Sequence, residues 1–555
     1  MNGGSGKGTL ITPLTFRDLA FAVLLIGLTL VFVELKLAQK GLYSSSFLIG
    51  EESQNFIVAD RLLSGGLLYR DTASPYGYIP AYSYALLARG FGNRIATYYS
   101  YFKFLDSIIV LLLYRLSRRV LSPLAAFLFT LFAFVPQVIA PGSPSSGFVI
   151  SPCFPLEKIL LLSAALLWKG PLHQEWTNSV LIGMCLGLLQ GVKFGGGLVA
   201  GLAIALIEFL FLFKRGFSKA AWMTFFKTGA TILLGFAIVE VVWTTLAYLT
   251  VPFFIAQDVI WPAYMLKNYA GFASTVRWPR WIGVRYFLGV QAVPLLGLAG
   301  ACWLARDQFR SRSVSSARAS DFSMNGTAYL GGVLFLPLFY VLGCLIYFKQ
   351  FWHFGLYSWT LVIGACFLLI PRVRVIGKVI GLVTVIICLL SFAAFVRASL
   401  LKPDDPSLVR LALANGEQLW VTGPEYLRFR GVLNTVNDSA NAQSALPVVF
   451  YPMGAGFHTF FNIPQAGRSY YFAPGLIRPY DSRELISLAE HAAYWVVFLT
   501  SPSNSLSNDP AEWNDKGGFA VQALDETTRT EIMKHMSNPR KIDSQCWIFS
   551  TVDSK

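Results

Sequence analysis

Charge is scarce in this chain. Only 14% of its 555 residues are Asp, Glu, Lys or Arg, where a soluble domain carries about a quarter. With 55% hydrophobic residues, the composition excludes a soluble globular protein and describes a multi-span membrane protein. Acid is scarcer than base, 30 residues against 45, for a formal net charge of +15. That excess does not call for nucleic acid, because basic loops facing anionic headgroups produce it without a specific partner. The seven cysteines (Cys153, Cys185, Cys302, Cys344, Cys366, Cys388 and Cys546) are scattered, five of them inside apolar runs. With no CxxC and no Cys/His cluster, neither a disulfide framework nor a zinc site has support. The chain also lacks a DxD motif. No cofactor is therefore expected, and a divalent metal has no support beyond the carboxylates Glu51, Glu52 and Asp71, which would be the ones at hand. There is no internal repeat, and the first apolar run, Leu19 to Val33, lacks a small-x-small cleavage site and is expected to remain as a span.

What the chain has is long apolar runs. A stretch of about 20 apolar residues crosses a bilayer as a helix, since lipid offers nothing to an unpaired backbone group. Eleven such stretches are expected near 19–38, 102–120, 123–140, 153–168, 178–193, 195–213, 227–249, 284–305, 327–348, 354–370 and 376–396. Lys and Arg clusters such as Arg115, Arg118 and Arg119, or Lys214, Arg215 and Lys219, fall in alternate loops, which orients the N-terminus inside and the C-terminus outside. Aromatic residues at 15% suit interfacial belts. The expected fold class is thus mainly α: a polytopic transmembrane helical bundle of about eleven spans over residues 1–400. The more polar residues 401–555 follow as a small C-terminal α/β extracytoplasmic domain. In that tail "EQLWVTG", "LPVVFYPMG", "AYWVVFLTS", "FAVQAL" and "CWIFST" read as short strands, and "SRELISLAEHA" as an amphipathic helix.

The first outer loop, residues 41–101, holds the most distinctive stretch, "EESQNFIVADRLLSGGLLYRDTASPYGYIP" from Glu51. Phe56, Ile57, Ala59, Leu62 and Leu63 fall at helical spacing among polar residues. A helix so short and amphipathic lies in the interface rather than crossing it. Gly65 and Gly66 end it, and Pro75 and Pro80 bar a simple continuation. Two carboxylates, Glu51 and Glu52, are thereby held just above the bilayer. A carboxylate there can take the proton of a sugar hydroxyl that attacks an activated glycosyl carbon. The leaving lipid phosphate would need cations, and Lys193, Lys349 and His353 stand at the outward ends of expected spans. The plainer readings are a solvated helix start for the acids, snorkelling for Lys349 and an aromatic belt around His353. Lys193, between two Gly-rich runs, is costly unless it meets a charge.

The same segment resembles the first outer loop of GT-C-type bacterial glycosyltransferases related to protein mannosyltransferases and to lipid A and core-sugar transferases. The matching positions are Glu51-Glu52, Ala59, Arg61, Gly65, Tyr69-Arg70-Asp71 and Pro75. The resemblance implies a donor sugar on a polyprenyl phosphate and a glycan, lipid or protein acceptor at the outer face of the cytoplasmic (inner) membrane. It assigns the general base to Glu51, with Glu52 as alternate because the family's leading residue is usually Asp. "KQFWHFGLYSW" resembles the family's basic, His-containing start of a late span, which maps to Lys349 and His353 as phosphate-binding residues. "GLLQGVKFGGGLVAGL" resembles its Gly-rich hairpin with Lys193 at the tip. Tyr69, Arg70 and Asp71 are expected to structure the loop. Arg277, Arg280 and Arg285 offer a further outer basic cluster, whose plainer role is a belt anchor. Two rivals remain open: a transporter or lipid flippase using the intramembrane acids Glu208 and Glu240, and a catalytically degenerate scaffold. The Gly-x-Gly in "PMGAGFHTFF" is weak support for a dinucleotide site.

Overall fold

A computed structural model of the chain describes residues 15–40, 46–50, 52–74, 77–119, 121–139, 152–168, 175–214, 217–260, 335–343, 386, 390, 408–440, 447–451, 454–465, 467–468, 479–492, 494–499 and 526–551. The described part is mainly helical. Its helices, in order, are α1 (Phe16–Lys40), α2 (Ser46–Ile49), α3 (Ser53–Leu63), α4 (Tyr78–Phe91), α5 (Ile95–Ser117), α6 (Pro123–Ile139), α7 (Cys153–Leu167), α8 (Trp176–Val192), α9 (Gly196–Lys214), α10 (Lys219–Thr250) and α11 (Phe253–Ile260). Within them Phe16–Glu34, Ile95–Ser117, Gly196–Phe213 and Lys219–Thr250 are long and apolar enough to cross a membrane. The α10 window is only 11% buried, so Leu233, Val241 and Leu249 present the apolar outer surface that lipid requires. Apart from the helical residues 335–343, the four expected spans from 284 onward lie almost wholly outside the described residues.

Packing fixes which helix ends lie together. α1 and α5 run antiparallel, tied by Arg118 Nε to Asp18 Oδ1 at 2.5 Å near one end and by Lys103 to Glu34 near the other. Sixteen residues of α-helix separate the two acids, about 24 Å, close to the hydrocarbon thickness of a bilayer. The Asp18 end gathers the basic residues. Arg119 donates to the carbonyls of Ala165 and Trp168 at the close of α7, and the Trp168 indole donates to Glu208 at 3.1 Å. At the opposite end the α8–α9 turn meets the start of α4, where Gly77 N donates to Val192 O at 3.2 Å. A Cβ on Gly77 would lie 1.9 Å from Gly191 O, and one on Gly183 would lie 2.0 Å from Ile232 O in α10. Glycine is what lets these backbones touch.

Two helices start earlier than the hydropathy alone sets them. α5 begins at Ile95 because the Glu417 carboxylate, from the C-terminal unit, accepts from the N–H groups of Ile95 (3.0 Å) and Ala96 (3.1 Å). That carboxylate satisfies donors a helix start leaves orphaned, and its charge suits the helix dipole. α10 begins at Lys219 with a Ser218 cap that accepts from Ala221 N.

The C-terminal unit holds a β1–β2 hairpin (Leu408–Ala412 and Gln418–Thr422), α12 (Gly423–Ala440), β3 (Val448–Tyr451), α13 (Ala455–Phe461), α14 (Pro479–His491), β4 (Tyr494–Phe498), α15 (Glu526–Lys534), β5 (Met536–Asp543) and β6 (Cys546–Thr551). The larger sheet has the order β3-β4-β6-β5. β3 pairs parallel with β4, while β6 runs antiparallel to both its neighbours. Alternation along the strands splits the sheet into two faces. Phe450, Val496 and Ile548 join α12, α13 and the first loop in one core, whereas Val449, Trp495 and Phe549 pack with Leu485 of α14 and Ile532 of α15 in another. "FAVQAL" lies outside the described residues.

Candidate functional site

α3 follows the acidic pair directly. Its apolar face is covered by protein instead of headgroups: Phe56 lies among Phe47, Tyr84, Tyr98 and Phe460. α13 of the C-terminal unit roofs it through Phe460. The second glycine of the Gly-x-Gly lies in the first turn of α13 and serves the packing of α13 on α2, since a Cβ on Gly456 would lie 2.0 Å from Phe47 O. A nucleotide role is not needed to account for it.

Glu52 occupies the N-cap position of α3 in αR backbone and makes no side-chain cap hydrogen bond. The Asn55 amide donates to the Glu52 carbonyl (3.3 Å) and to the Tyr98 hydroxyl (2.9 Å). The Glu52 carboxylate acts electrostatically on both Tyr98 and Tyr99. The Tyr99 hydroxyl is buried with no partner. Glu51, Lys349 and His353 lie outside the described residues, as do Arg277, Arg280 and Arg285.

Lys193 stands in the turn between α8 and α9, which reverses through Gly195 at φ +85°. The Gln190 side chain accepts from Gly195 N at 3.0 Å and braces the turn. The Lys193 ammonium lies 5.8 Å from the Phe154 ring centroid, a cation–π distance. Phe154 shares the first turn of α7 with Leu156, which packs against the cluster that holds Phe56 and Tyr98. The first turn of α7 therefore bridges Lys193 and the surroundings of Glu52. Buried Glu157 is on the same helix, its Oε1 3.5 Å from the position of a Gly196 Cβ at the start of α9. Lys158 interacts electrostatically with both Asp106 and Glu157. These three charged residues, with Tyr98 and Tyr99, were not singled out from sequence. The signal for them is charge inside the apolar runs of α5 and α7, the pattern that marks intramembrane function.

Tyr69, Arg70 and Asp71 form the turn closing the loop. Asp71 Oδ2 accepts from Leu67 N (2.7 Å) and from Arg70 Nη2 (2.7 Å), and the Arg70 guanidinium holds the Asp71 carboxyl below the usual carboxylate range. Tyr69 adopts φ +66°, left-handed backbone that a bulky residue rarely takes. Tyr69 N donates to Thr72 O at 2.7 Å, and Arg468 Nη1 donates to Tyr69 O at 3.0 Å. Arg468 is in turn paired with Glu484 at 2.9 Å, so the C-terminal unit pins the turn. Deeper in, the Asn93 amide donates to Asp60 Oδ1 at 2.7 Å, and burial nonetheless pushes the Asp60 carboxyl up. Of the rival acids, Glu208 receives the Trp168 indole at the basic end. Glu240 is half-buried on α10 with one carboxylate oxygen unpartnered. Among the described residues no three His, Cys, Asp or Glu side chains converge as a metal site.

No protein-family model and no curated protein matches the chain. Among solved structures it is similar to an oligosaccharyltransferase of Archaeoglobus fulgidus tethered to an acceptor peptide, at 12% identity and a TM-score of 0.44, covering 98% of this chain and 74% of that one. It is also similar to ArnT from Cupriavidus metallidurans bound to undecaprenyl phosphate, at 10% identity and a TM-score of 0.37, covering 96% and 98%. Both overlays are loose, and the functional reading rests on the chain's own residues.

Proposed function

We propose that this chain is an integral-membrane glycosyltransferase of the GT-C type, moving a sugar from a polyprenyl-phosphate donor to an acceptor at the outer face of the cytoplasmic membrane. The observation that carries this reading is the junction at the start of α7. There Leu156 packs against the cluster that holds Phe56 and Tyr98 beside Glu52, while Phe154 faces the ammonium of Lys193. A carboxylate and a cation at one end of a lipid-embedded bundle are the two groups that displacement of a phosphate by a hydroxyl needs.

In the proposed reaction the acceptor hydroxyl oxygen attacks the anomeric carbon and the carbon–oxygen bond to the phosphate breaks. The hydroxyl proton passes to the acidic pair, Glu51 as base and Glu52 as alternate. Lys193, with Lys349 and His353, balances the charge left on the lipid phosphate. A single displacement inverts the anomeric centre. No step requires a redox partner. Tyr69, Arg70 and Asp71 hold the loop so that the acids keep their position.

The test is Glu51→Gln and Glu52→Gln, alone and together, assayed for sugar transfer from a polyprenyl-phosphate donor in nanodiscs. Loss of the base should cost at least about 100-fold in rate. Transfer that is unchanged in the double variant would falsify the assignment.

A further inference from the structure

The turn between α3 and α4 holds strained backbone. Tyr69 sits at φ +66°, and a bulky residue stays in left-handed backbone only where its surroundings over-determine it. Three sets of contacts do so. Inside the turn, Tyr69 N donates to Thr72 O and Asp71 N donates to Leu67 O at 2.9 Å. From the membrane bundle, the Tyr69 ring joins Ile57, Val58, Val251 and Ile255 in one buried cluster and meets Trp243 of α10 at 6.5 Å between ring centroids. From the C-terminal unit, Arg468 reaches the turn twice. Its Nη1 donates to Tyr69 O at 3.0 Å, and its own carbonyl accepts from Ala73 N at 3.2 Å. Glu484 of α14 fixes Arg468 in turn, since its two carboxylate oxygens accept from Arg468 N at 2.7 Å and Nε at 2.9 Å. The arginine side chain is only 10% exposed. An ordinary surface ion pair needs no third partner, whereas this guanidinium also holds strained backbone 399 residues away.

Trp243 carries the constraint onward. Tyr78, the first residue of α4, stacks on it with ring centroids 3.4 Å apart. The Tyr78 ring covers Gly191, where a Cβ would lie 2.6 Å from Cε1 and Cζ of that ring. Gly77 N donates to Val192 O, and the next residue is Lys193. The loop that begins with Glu52 and α3 thus ends against the turn that presents Lys193, and Trp243 meets both of its tyrosines. We infer that Arg468 is a positioning residue. Seated on Glu484, it clamps the strained turn so that Tyr69 and Tyr78 grip Trp243 and hold the loop of Glu52 in register with Lys193. The guanidinium suits the task, because its rigid fork serves a carboxylate and a carbonyl at once. The C-terminal unit thereby takes part in sugar transfer without touching either substrate. The inference deepens the glycosyltransferase reading and rests on it for what the register serves.

The experiment compares wild type with Arg468→Ala, Arg468→Lys, Glu484→Gln, Tyr69→Gly and the double variant Arg468→Ala/Tyr69→Gly, each as the full chain in nanodiscs. Hydrogen exchange followed by mass spectrometry reads the loop independently of activity. Arg468→Ala should raise exchange in peptides spanning 67–77 about tenfold, the worth of one hydrogen bond, and leave β4 and β6 as protected as in wild type. In the transfer assay kcat should fall about tenfold while the KM for the donor stays within about twofold, since the binding groups remain and only their geometry loosens. Arg468→Lys should fall between, because an ammonium lacks the fork that serves Glu484 and Tyr69 O together. Glycine accepts φ +66° freely, and without the ring the clamp has nothing to pass on. In the Tyr69→Gly background Arg468→Ala should therefore change kcat by less than about twofold, whereas independent effects would multiply. Unchanged loop exchange in both Arg468→Ala and Glu484→Gln would overturn the clamp, as would multiplying effects in the double variant. Exchange that rises equally in β4 and β6 would also overturn it, marking Arg468 as a residue of the general fold. Should Arg468→Ala not fold, Arg468→Lys and Glu484→Gln decide by the same readings. Faster loop exchange in a chain whose transfer is unaltered by Glu51→Gln/Glu52→Gln would keep the clamp and remove the enzymatic reading. Transfer lost in those acid variants yet undisturbed in Arg468→Ala would remove the positioning role and keep the enzyme.

Discussion

The two ends of the helical bundle treat polar groups in opposite ways. At the basic end, Asp18 accepts from Thr15, Tyr114 and Arg118, Arg119 reaches three carbonyls, and Glu208 takes the Trp168 indole. At the loop end, Gln54, Thr72 and Tyr99 are buried with polar atoms that meet nothing. An unmet buried group destabilises the folded chain. It is tolerated where a ligand completes it, whereas a fully paired cluster contributes to stability without one. The contrast separates an anchoring end from the end where the proposed function places its work, the proposed working end.

That contrast can be broken by substitution. The largest stability effect belongs to the anchoring end. Asp18→Ala leaves the Arg118 guanidinium without its carboxylate in a position where Asp18 is 1% exposed, and should cost about 3–5 kcal/mol. Denaturant titration in detergent checks this, with transfer per folded molecule retained. A similar loss from substitutions at Gln54 would erase the distinction between the ends.

The second effect depends on pH and lies in the roof of the working end. Burial holds the His458 imidazole neutral, with its pKa pushed down to about 4, while its Nδ1 meets Ile463 O at 2.9 Å. The unfolded imidazole protonates near 6.5. Between those values the unfolded chain binds more protons, so stability is complete above about pH 6.5 and declines as the pH falls toward 4. His458→Gln should flatten that decline when thermal midpoints are compared across the interval. Asp60, with its carboxyl raised by burial, acts in the other direction and loses stability as the pH rises past the ordinary carboxylate range.

The smallest stability effect is expected at Tyr99→Phe. Removing a hydroxyl that has no partner should leave stability within about 0.5 kcal/mol of wild type while lowering sugar transfer about tenfold. A clear loss of stability in this variant would place Tyr99 with the anchors.

Much of the helical frame could be read from local pattern. The apolar runs at 123–140, 153–168 and 195–213 fall on α6, α7 and α9, and the amphipathic spacing after Glu52 falls on α3. β3, β4 and β6 sit in runs of Val, Phe and Trp that mark buried strands. β5 escaped because its sequence, Met536 to Asp543, is a mostly exposed edge carrying Pro539, Arg540 and Lys541. Of the described residues around the candidate site, the sequence pointed to Glu52, Lys193 and the Tyr69-Arg70-Asp71 turn. Gln54 looks in sequence like one more polar position of an amphipathic helix, and its burial comes from α4 and the Ser74 loop. Tyr98 and Tyr99 look like belt aromatics until Glu52 is set beside them. Such facts arise from contacts between distant segments, which no window of residues contains.

Glu417 carries a consequence for biogenesis. The carboxylate that completes the beginning of α5 is made 322 residues after Ile95. During synthesis the donors of Ile95 and Ala96 wait on water while α6 to α11 and the chain beyond them are made. They are closed only when the β1–β2 hairpin arrives. The last quarter of the chain thus supplies a finishing contact for one of its earliest helices, and a nascent chain cut short before residue 408 keeps that helix frayed beside Glu52.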